Sequence, residues 1–371
     1  MTSRTEADRM PGQTLRWLAL GVVVLLGVAA VLALLLVAGA RAQASTESIG
    51  VGLITNEGPV NDGGFNWLSY QGMLRAESDL GVVGTVYTAT SSADYEPNLQ
   101  QCVDDGNDLC ISVGFGTAEA ISNTAPANPS TSFAIVDTEF DSYPANLRGM
   151  VFSAEEAGYL AGTLAGLMTQ GDVVGGVGGM QIQPVEAFLE PYRYAVQCAN
   201  PQATVLVTYT GTFIDPDLGA EVAQQQMAAG ADVIFAAAGP TGVGALLTTT
   251  QSSEWAIGVD IDQYLTVFLS GTIPGSDKML SSAIKKIDNA VYSTIADVIS
   301  GTFTSGTLVY DLAADGVGLA PFHEADSFVP QSVRDGLDAV EQGIIDGTID
   351  VYQPCEIYHV YLPIVGRDWS Y

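Results

Sequence analysis

Residues 255–263 read Trp-Ala-Ile-Gly-Val-Asp-Ile-Asp-Gln, an apolar run of strand length that ends in polar side chains. Asn-Asp-Gly-Gly-Phe-Asn at residues 61–66 and Ile-Lys-Lys-Ile-Asp at residues 284–288 likewise place polar groups where an apolar strand runs out. In open α/β sheets, ligands bind in the crevice outside the carboxyl ends of the strands. The three segments therefore predict a cleft that holds a small, hydroxyl-rich molecule.

Strand-like and helix-like segments alternate on both sides of this stretch, first over residues 48–168 and again over residues 173–299. Strands that alternate with helices over short loops indicate parallel sheets with helices on both faces. Two such runs favour an α/β protein with two Rossmann-like lobes over one very wide sheet. The predicted strands are 49–54, 82–87, 109–113, 132–136, 150–152, 173–179, 203–209, 232–237, 255–259 and 279–284, and the predicted helices are 66–78, 155–168, 185–198, 218–228, 244–250, 288–299 and 331–344.

This alternation divides the chain into lobes. Residues 45–160 are expected to form the first part of lobe 1, and residues 161–286 are expected to form lobe 2. Residues 287–350 are expected to return to lobe 1, through a segment at 307–319 and the last predicted helix, and residues 351–371 form a C-terminal extension. Two lobes joined by several crossings make a clamp that closes on a ligand by hinge motion.

The composition predicts a well-packed protein that does not bind nucleic acid. Hydrophobic residues make up 47% of the chain and charged residues only 15%, which argues for a filled core. A formal net charge of −30 argues against binding to nucleic acid, because so acidic a chain repels a row of phosphates instead of neutralising it. The lysines are Lys278, Lys285 and Lys286, and an adjacent pair at a strand-to-helix junction indicates a functional role. The alternative is a local counter-charge for Asp288.

The N-terminus has the pattern of an export signal. Arg4, Arg9 and Arg16 precede an apolar run at residues 17–40, which is followed by small-x-small sites. The 24 uncharged residues of this run are also enough to span a bilayer. Residues 1–44 are therefore either a cleaved signal peptide or a membrane anchor, and the remainder is expected to be extracytoplasmic, membrane-associated or secreted. No cysteine follows the run, which excludes a lipid anchor on an N-terminal cysteine.

Four cysteines in an exported chain predict two disulfides. Cys102 and Cys110 bracket a turn-rich spacer, which leaves Cys198 and Cys355 as the second pair, although free thiols remain an alternative. The cysteines and the two histidines do not cluster at metal-ligand spacings. The sequence therefore predicts neither a metal nor a cofactor.

Seven motifs between residues 47 and 320 occur in an order that is similar to a known family. They are Asp62-x-x-Phe65-Asn66, Glu156-Ala-Gly-Tyr-Leu-Ala-Gly162, Gly178-Gly179 with Pro184-Val185 and Phe188, Gly211-Thr-Phe213-x-Asp215, Ala237-Ala-Gly239-x-Thr241-Gly242-x-Gly244, Gly258-Val-Asp260-x-Asp262-Gln263 and Ser281-x-x-x-Lys285-x-x-Asp288. Together they resemble the basic membrane protein (PnrA-like) family of substrate-binding lipoproteins. The resemblance implies a two-lobed type I periplasmic-binding fold and a purine nucleoside ligand: guanosine, inosine or adenosine. It also implies the permease and ATPase subunits of an ABC importer as partners.

The resemblance also implies roles for individual residues. Asp62 and Asn66 grip the base, Asp260 and Lys285 hold the ribose hydroxyls, and aromatic side chains sandwich the purine. The first stacking position falls near Tyr70, whereas the second is not placed. The chain departs from the family pattern at the missing lipid-anchor cysteine, at Pro191 and Ala195, which replace glycines, and at Pro240.

The chemistry of the base contacts leaves alternatives open. Phe65 and Tyr70 lie five residues apart and do not share one helix face, so Tyr70 is the expected stacker if Phe65 is a buried plug. Asp62 offers two acceptors, and Asn66 offers a donor and an acceptor, which together complement a purine edge. An Asp before a helix is also a common N-cap.

The second group of predicted contacts lies at other strand ends. Asp260 and Lys285 together satisfy a diol without a net buried charge, or they form a structural ion pair. Asp137 ends another strand and is expected in the same cleft. Gly114, Phe115 and Gly239 are predicted backbone walls, since glycine permits close approach.

Catalysis is disfavoured by the surroundings of the histidines. His323 and His359 have no serine or cysteine nucleophile motif beside them, so no enzyme is predicted, although a carboxylate-pair hydrolase stays open. The predicted function is solute binding for an importer. The alternatives are a ligand-sensing receptor domain, favoured if the apolar segment is retained, and binding of another neutral molecule such as a sugar.

Overall fold

The computed structural model describes residues 48–61 and 64–353. The predicted signal or anchor segment, Asp62, Cys355 and the extension beyond residue 353 lie outside the described residues. From Ile49 onward the described residues belong to one compact unit. Among them, no helix combines the length and the apolar character needed to cross a bilayer.

The strands and helices alternate as the sequence predicts. The strands are β1 (Gly50–Ile54), β2 (Val83–Tyr87), β3 (Leu109–Val113), β4 (Ser132–Val136), β5 (Leu147–Phe152), β6 (Val173–Gly178), β7 (Thr204–Tyr209), β8 (Val233–Ala237), β9 (Trp255–Asp260), β10 (Met279–Lys285), β11 (Gly306–Tyr310) and β12 (Val317–Leu319). The helices are α1 (Phe65–Leu80), α2 (Tyr95–Asp104), α3 (Ala118–Ala127), α4 (Ala154–Met168), α5 (Gln183–Ala199), α6 (Pro216–Ala228), α7 (Gly239–Gln251), α8 (Gln263–Thr266), α9 (Ile287–Ser300) and α10 (Gln331–Ile345). Helices α2, α3 and the short α8 were not predicted.

Each lobe is built on a six-stranded sheet. The first sheet has the order β11-β5-β4-β3-β1-β2, and the second has the order β12-β10-β9-β8-β6-β7. Within each lobe the first five strands follow the same doubly wound order, 2-1-3-4-5, whose crevice lies where the strand order reverses. All pairings are parallel except that of β12 with β10. The predicted fold class, two Rossmann-like lobes with parallel sheets, is confirmed.

The chain crosses between the lobes at three places that lie side by side. The crossings are Ser153, Lys286 and residues 311–316, which follow β5, β10 and β11. Ser153 donates its backbone N–H to Tyr310 O at 3.1 Å, and Lys286 donates its own to Gly316 O at 2.8 Å. The Glu156 carboxylate, at the start of α4, accepts the Leu312 N–H at 2.7 Å. These hydrogen bonds tie the three crossings into one hinge.

The segment expected to return wholly to the first lobe divides between the two lobes. Helix α9 packs on α1 and β11 pairs with β5, both in the first lobe. In contrast, β12 pairs with β10 in the second sheet, and α10 packs on α4. Residues 317–319 and the last helix therefore lie in the second lobe and not in the first, because the third crossing, after β11, carries the chain back.

Three glycines let helices α4 and α5 approach closely. Gly158, Gly162 and Gly166 lie four residues apart and share one face of α4. A Cβ at Gly158 or Gly162 would collide with the carbonyl oxygen of Phe188 or Tyr192 on α5. Pro191 lies inside α5 and is buried. The close contact fixes the backbone at Phe188, whose ring reaches the site described below.

The predicted Cys102–Cys110 disulfide is present and joins α2 to β3, with a Cα–Cα distance of 6.2 Å. Gly52 of β1 makes room for it, because a Cβ there would overlap Cys102 Sγ. The bridge therefore fixes α2 against the centre of the first sheet.

The helix contact makes a testable prediction about Gly162. In Gly162→Ala the new Cβ overlaps a backbone carbonyl, so we expect the free energy of unfolding to fall by about 1–3 kcal/mol, the usual cost of overpacking. Gly336→Ala in α10 is the matched control, since its Cβ meets only the tip of Leu167 at 3.1 Å. Helix propensity should stabilise that variant by up to about 1 kcal/mol. Urea unfolding measures both, and an equal change in the two variants would contradict the close helix contact.

Candidate ligand-binding site

A buried lysine ammonium joins the two lobes at the carboxyl ends of their strands. Lys285, the last residue of β10, lies 2.8 Å from Asp137 Oδ2 and 3.8 Å from Asp260 Oδ1. Asp137 follows β4 of the first sheet, whereas Asp260 ends β9 of the second. The Lys285 side chain is only 4% exposed. Three residues that the sequence placed in one cleft are thus brought together.

Two phenylalanine rings enclose the same ammonium. Lys285 Nζ lies 5.5 Å from the centroid of the Phe65 ring and 5.3 Å from that of Phe188, within the range of cation–π attraction. Phe65 begins α1 in the first lobe, and Phe188 belongs to α5 in the second. The ammonium is therefore held from both lobes by charge and by aromatic faces. Tyr70 lies half-buried against the core, one and a half turns further along α1.

Both aspartates adopt a backbone conformation that is rare for their residue type. Asp137 has φ +56° and Asp260 has φ +65°, in the left-handed region that favours glycine. Asp is one of the few other residues that tolerate this region. Such strained residues persist where the surrounding structure holds them, and they cluster at ligand sites. The two carboxylates that meet Lys285 are thus positioned by strained backbone on both sides of the cleft.

Burial and neighbouring charges raise the pKa values of both Asp260 and Lys285, but for different reasons. Loss of water contact raises the pKa of Asp260, Lys285 opposes this effect, and the negative Asp137 reinforces it. The Asp260 side chain is 35% exposed, so solvent moderates the effect. Burial by itself would lower the pKa of Lys285, but Asp137 and Asp260 outweigh burial and raise it. Lys285 is therefore a permanent cation, and a new hydrogen-bond donor would stabilise the Asp260 carboxylate.

The loop that follows β9 is held by buried hydrogen bonds. Gln263 Oε1 accepts the Val259 N–H at 2.9 Å, and the Gln263 N–H donates to Ser282 Oγ at 3.1 Å. A Cβ at Gly258 would collide with the Gln263 side chain, which explains the glycine. These bonds on either side of Asp260 hold it in its strained conformation.

His323 contacts two side chains that follow β9. Its Nε2 lies 2.7 Å from Asp262 Oδ2, and its ring stacks on Tyr264 at 4.1 Å between centroids. Asp262 lies in the loop after β9 and Tyr264 lies in α8, so His323 braces both from the short 3₁₀ helix at His323–Phe328. Within residues 48–61 and 64–353, no group of three or more His, Cys, Asp or Glu side chains is arranged to hold a metal ion.

The predicted role of Asn66 changes. The side chain is 1% exposed, and its Oδ1 accepts the Asn56 N–H at 2.8 Å. Its Nδ2 donates to Asn56 O and to Pro59 O at 3.3 and 3.4 Å. Because these atoms already bind the loop after β1, Asn66 shapes that loop instead of gripping a base directly. The sequence did not show this, since the partner backbone is not marked by residue type.

The predicted backbone walls lie at the rims of the two sheets. Gly114 has φ +77° and Gly239 has φ +55°, so both need the freedom of glycine. Phe115 is 76% exposed beside the first of them. In the second lobe, the Phe213 ring occupies the space that a Cβ at Gly179 would need, and Phe213 also borders Gly239. Phe213 and Phe188 were quoted as motif residues but were not predicted as contacts.

Two α/β lobes with a charged group at the strand ends, where the lobes meet, are typical of solute-binding proteins. A family model described as ABC transporter substrate-binding protein, PnrA-like, matches residues 49–354. The chain belongs to this family, which confirms the resemblance. It is therefore a non-enzymatic substrate-binding protein, as predicted, and the family implies a small-molecule ligand, permease and ATPase partners and an extracytoplasmic location.

Relatives and solved structures agree with this assignment. A Listeria monocytogenes protein named CD4+ T-cell-stimulating antigen is 31% identical over 325 residues, covering 83% of this chain and 89% of the relative. The Lactococcus lactis ABC transporter nucleoside-binding protein BmpA is 30% identical, covering 81% and 88%. A Conexibacter woesei ABC transporter solute-binding protein superimposes with a TM-score of 0.69 at 25% identity, covering 82% and 98%. One from Aeropyrum pernix gives 0.68 at 26%, covering 81% and 92%.

The raised pKa of Asp260 predicts how a substitution changes stability with pH. A carboxyl whose pKa is raised by folding costs stability wherever it is ionised in both states, and this cost vanishes below its ordinary pKa. We therefore expect Asp260→Asn to raise the melting temperature of the ligand-free protein by a few degrees near pH 7. The difference should shrink as the pH falls toward about 4. Asn also tolerates the left-handed backbone.

The control for this measurement is Asp141→Asn, because Asp141 is exposed on a loop of the first lobe. Its melting temperature should follow that of the wild type at every pH. A destabilised Asp260→Asn variant at neutral pH would show that the carboxylate is net stabilising, and the expected direction of the effect would then be wrong.

Proposed function

We propose that the chain is the extracytoplasmic binding protein of an ABC importer and that its ligand is a purine nucleoside. The observation that carries the proposal is the group at Lys285, in which an ammonium and carboxylates from both lobes meet between aromatic rings. A ligand seated there contacts both lobes at once. Its binding therefore favours closure at the three crossings.

The charges of this group suit a vicinal diol. The Asp260 carboxylate accepts hydrogen bonds from two hydroxyls, and the Lys285 ammonium donates to one of their oxygens. The raised pKa of Asp260 reflects a carboxylate with few stabilising partners, which the diol hydroxyls supply. Asp137, Asp260 and Lys285 carry a formal charge of −1 together, so a phosphate at this place would be repelled. These properties favour a nucleoside over a nucleotide.

The flat face of the base calls for aromatic side chains. Phe65 lies at the site in the first lobe, and Phe213 lies at the strand ends of the second lobe beside Gly179 and Gly239. Stacking on such rings is worth about 1–3 kcal/mol per base in nucleic-acid complexes. We propose these two residues as the sandwich, in place of Tyr70. Asp62, Gly114, Phe115 and Gly239 remain proposed as its surroundings.

The comparisons support the same ligand class at a coarser level. The Lactococcus lactis relative is named a nucleoside-binding protein, and two Pyrococcus relatives are named lipoproteins. For this chain, we propose export through the N-terminal segment and retention or release outside the membrane. The permease and ATPase of the importer are the proposed partners.

Calorimetry with matched ligands and variants tests the proposal. We expect the wild type to bind guanosine, inosine or adenosine and to discriminate against the 2′-deoxynucleoside by about tenfold or more, since a hydrogen bond to a charged group is worth roughly 1.5–3 kcal/mol. In Asp260→Asn this discrimination should shrink, because the carboxylate that reads the diol is gone. Asp141→Asn should keep it.

Two results would contradict the assignment. A response to free sugars alone would show that the ligand is a carbohydrate and not a nucleoside. If Asp260→Asn still discriminates fully between ribose and deoxyribose, the Asp260 carboxylate does not bind the diol. Ligand-free melting curves of each variant check that the fold is kept.

A further inference from the structure

Asn56 lies at the point where the strand order of the first sheet reverses. It follows β1, and its side chain lies beside Gly114 and Gly116, which follow the neighbouring strand β3. A Cβ at Gly114 would be 3.2 Å from Asn56 Nδ2, and one at Gly116 would be 3.2 Å from Asn56 Oδ1. Ligands of doubly wound sheets bind at this switch point. The two glycines thus make room for a carboxamide at the floor of the cleft.

This position also borders the charged group. The Gly114 N–H donates to Val136 O at 3.1 Å, and Val136 immediately precedes Asp137. Strands β1, β3 and β4 are consecutive neighbours in the sheet, so Asn56 and Asp137 follow strands roughly 10 Å apart. A molecule that reaches Lys285 at one end therefore extends along the strand ends toward Asn56.

The orientation of the Asn56 carboxamide is fixed by two donors. The Tyr95 hydroxyl lies 2.6 Å from Asn56 Oδ1, and the Glu57 N–H points at the same atom from 2.9 Å. A backbone N–H only donates, so the atom that receives it is the oxygen and not the amide nitrogen. Tyr95 is 4% exposed at the start of α2, and burial raises the pKa of its hydroxyl, which keeps the proton to donate.

The nitrogen of the same carboxamide has no hydrogen-bond partner among the described residues. Among residues 48–61 and 64–353, Asn56 Nδ2 donates no hydrogen bond, and it lies 3.2 Å from the place of a Cβ at Gly114. Two N–H groups are therefore available to a ligand, while the acceptor of this side chain is already in use.

We infer that Tyr95 is a positioning residue that, together with the Glu57 N–H, holds Asn56 as a hydrogen-bond donor toward the ligand and thereby selects 6-oxopurine nucleosides. Guanine carries two adjacent acceptors, N7 and O6, along one edge, and the 6-oxo base of inosine has the same pair. Adenine has N7 beside an amino group that donates. An N–H of Asn56 that faces the adenine amino group would leave both of these donors unpaired. This inference rests on the proposed function, since it assigns the base of the same ligand.

The test is the ratio of the dissociation constants for adenosine and inosine, measured by calorimetry on the full exported chain. We expect the wild type to bind inosine at least about tenfold more tightly, the usual size of a penalty for an unpaired buried polar group. Tyr95→Phe removes one of the two donors that hold the Asn56 oxygen, so the carboxamide turns over more readily and the ratio should fall several-fold while inosine still binds. Asn56→Asp offers only acceptors and should move the preference toward adenosine.

A matched control separates positioning from a merely structural role. Tyr87→Phe removes a hydroxyl that bonds Asp105 at 2.7 Å in the same lobe, away from the cleft, and should leave the ratio unchanged. A general loosening of the lobe weakens both nucleosides equally and does not move the ratio.

The failures of the two proposals are distinguishable. If the wild type binds no nucleoside, the proposed function falls and this inference falls with it. If nucleosides bind but the ratio is near one, favours adenosine, or is the same in Tyr95→Phe and Asn56→Asp as in the wild type, the inference alone is overturned.

Discussion

The contact of the Lys285 ammonium with carboxylates from two different sheets is the interaction on which the site depends. Removing an ammonium from water is costly unless it is paired and hydrogen-bonded. In this protein the partners come from opposite lobes, so the charge becomes buried and paired only when the two lobes approach each other. A ligand that offers hydroxyls to Asp260 and an oxygen to Lys285 adds hydrogen bonds to these buried charges and so changes the free energy of closure. The energetics of closure and of binding are therefore coupled at a single group.

The rest of the fold places that group. Three crossings hold the lobes at one end, and the Glu156 carboxylate ties two of them together. The glycine face of α4 allows α5 to come close enough to bring Phe188 to the ammonium. Buried hydrogen bonds to Gln263 hold the strained backbone at Asp260. Each feature lies outside the cleft and yet determines where a charged atom stands within it.

The sequence predicted those parts of the structure that local patterns carry. Apolar runs ending in polar residues marked Asp260 and Lys285 correctly as strand ends, and the alternation of strands and helices predicted both lobes. Helices α2 and α3 escaped because Pro97 and Pro126 resemble turn signals, although Pro is tolerated in the first turn of a helix, where Pro97 lies. The pairing of β12 with the second sheet was not predicted, because a strand of three residues carries no pattern that identifies its partner.

The site was harder to predict where contacts span long distances in sequence. Asn56 and Tyr95 are 39 residues apart and meet only after β1 and α2 have packed. Asn66 looked like a base contact because its residue type suits one, but its amide is used by the loop after β1. Asp137 and Lys285 were each expected in the cleft because each ends a strand, but no local pattern marks their direct pairing across the two lobes.

A crystal structure of the chain with guanosine would test the central claim most directly. We expect ribose hydroxyls within hydrogen-bond distance of both Asp260 and Lys285, with the base extending along the ends of β3 and β1. A nucleoside found instead in the cavity of about 690 Å³ between α2 and α3, with Lys285 still bound to Asp137 and the cleft vacant, would contradict it.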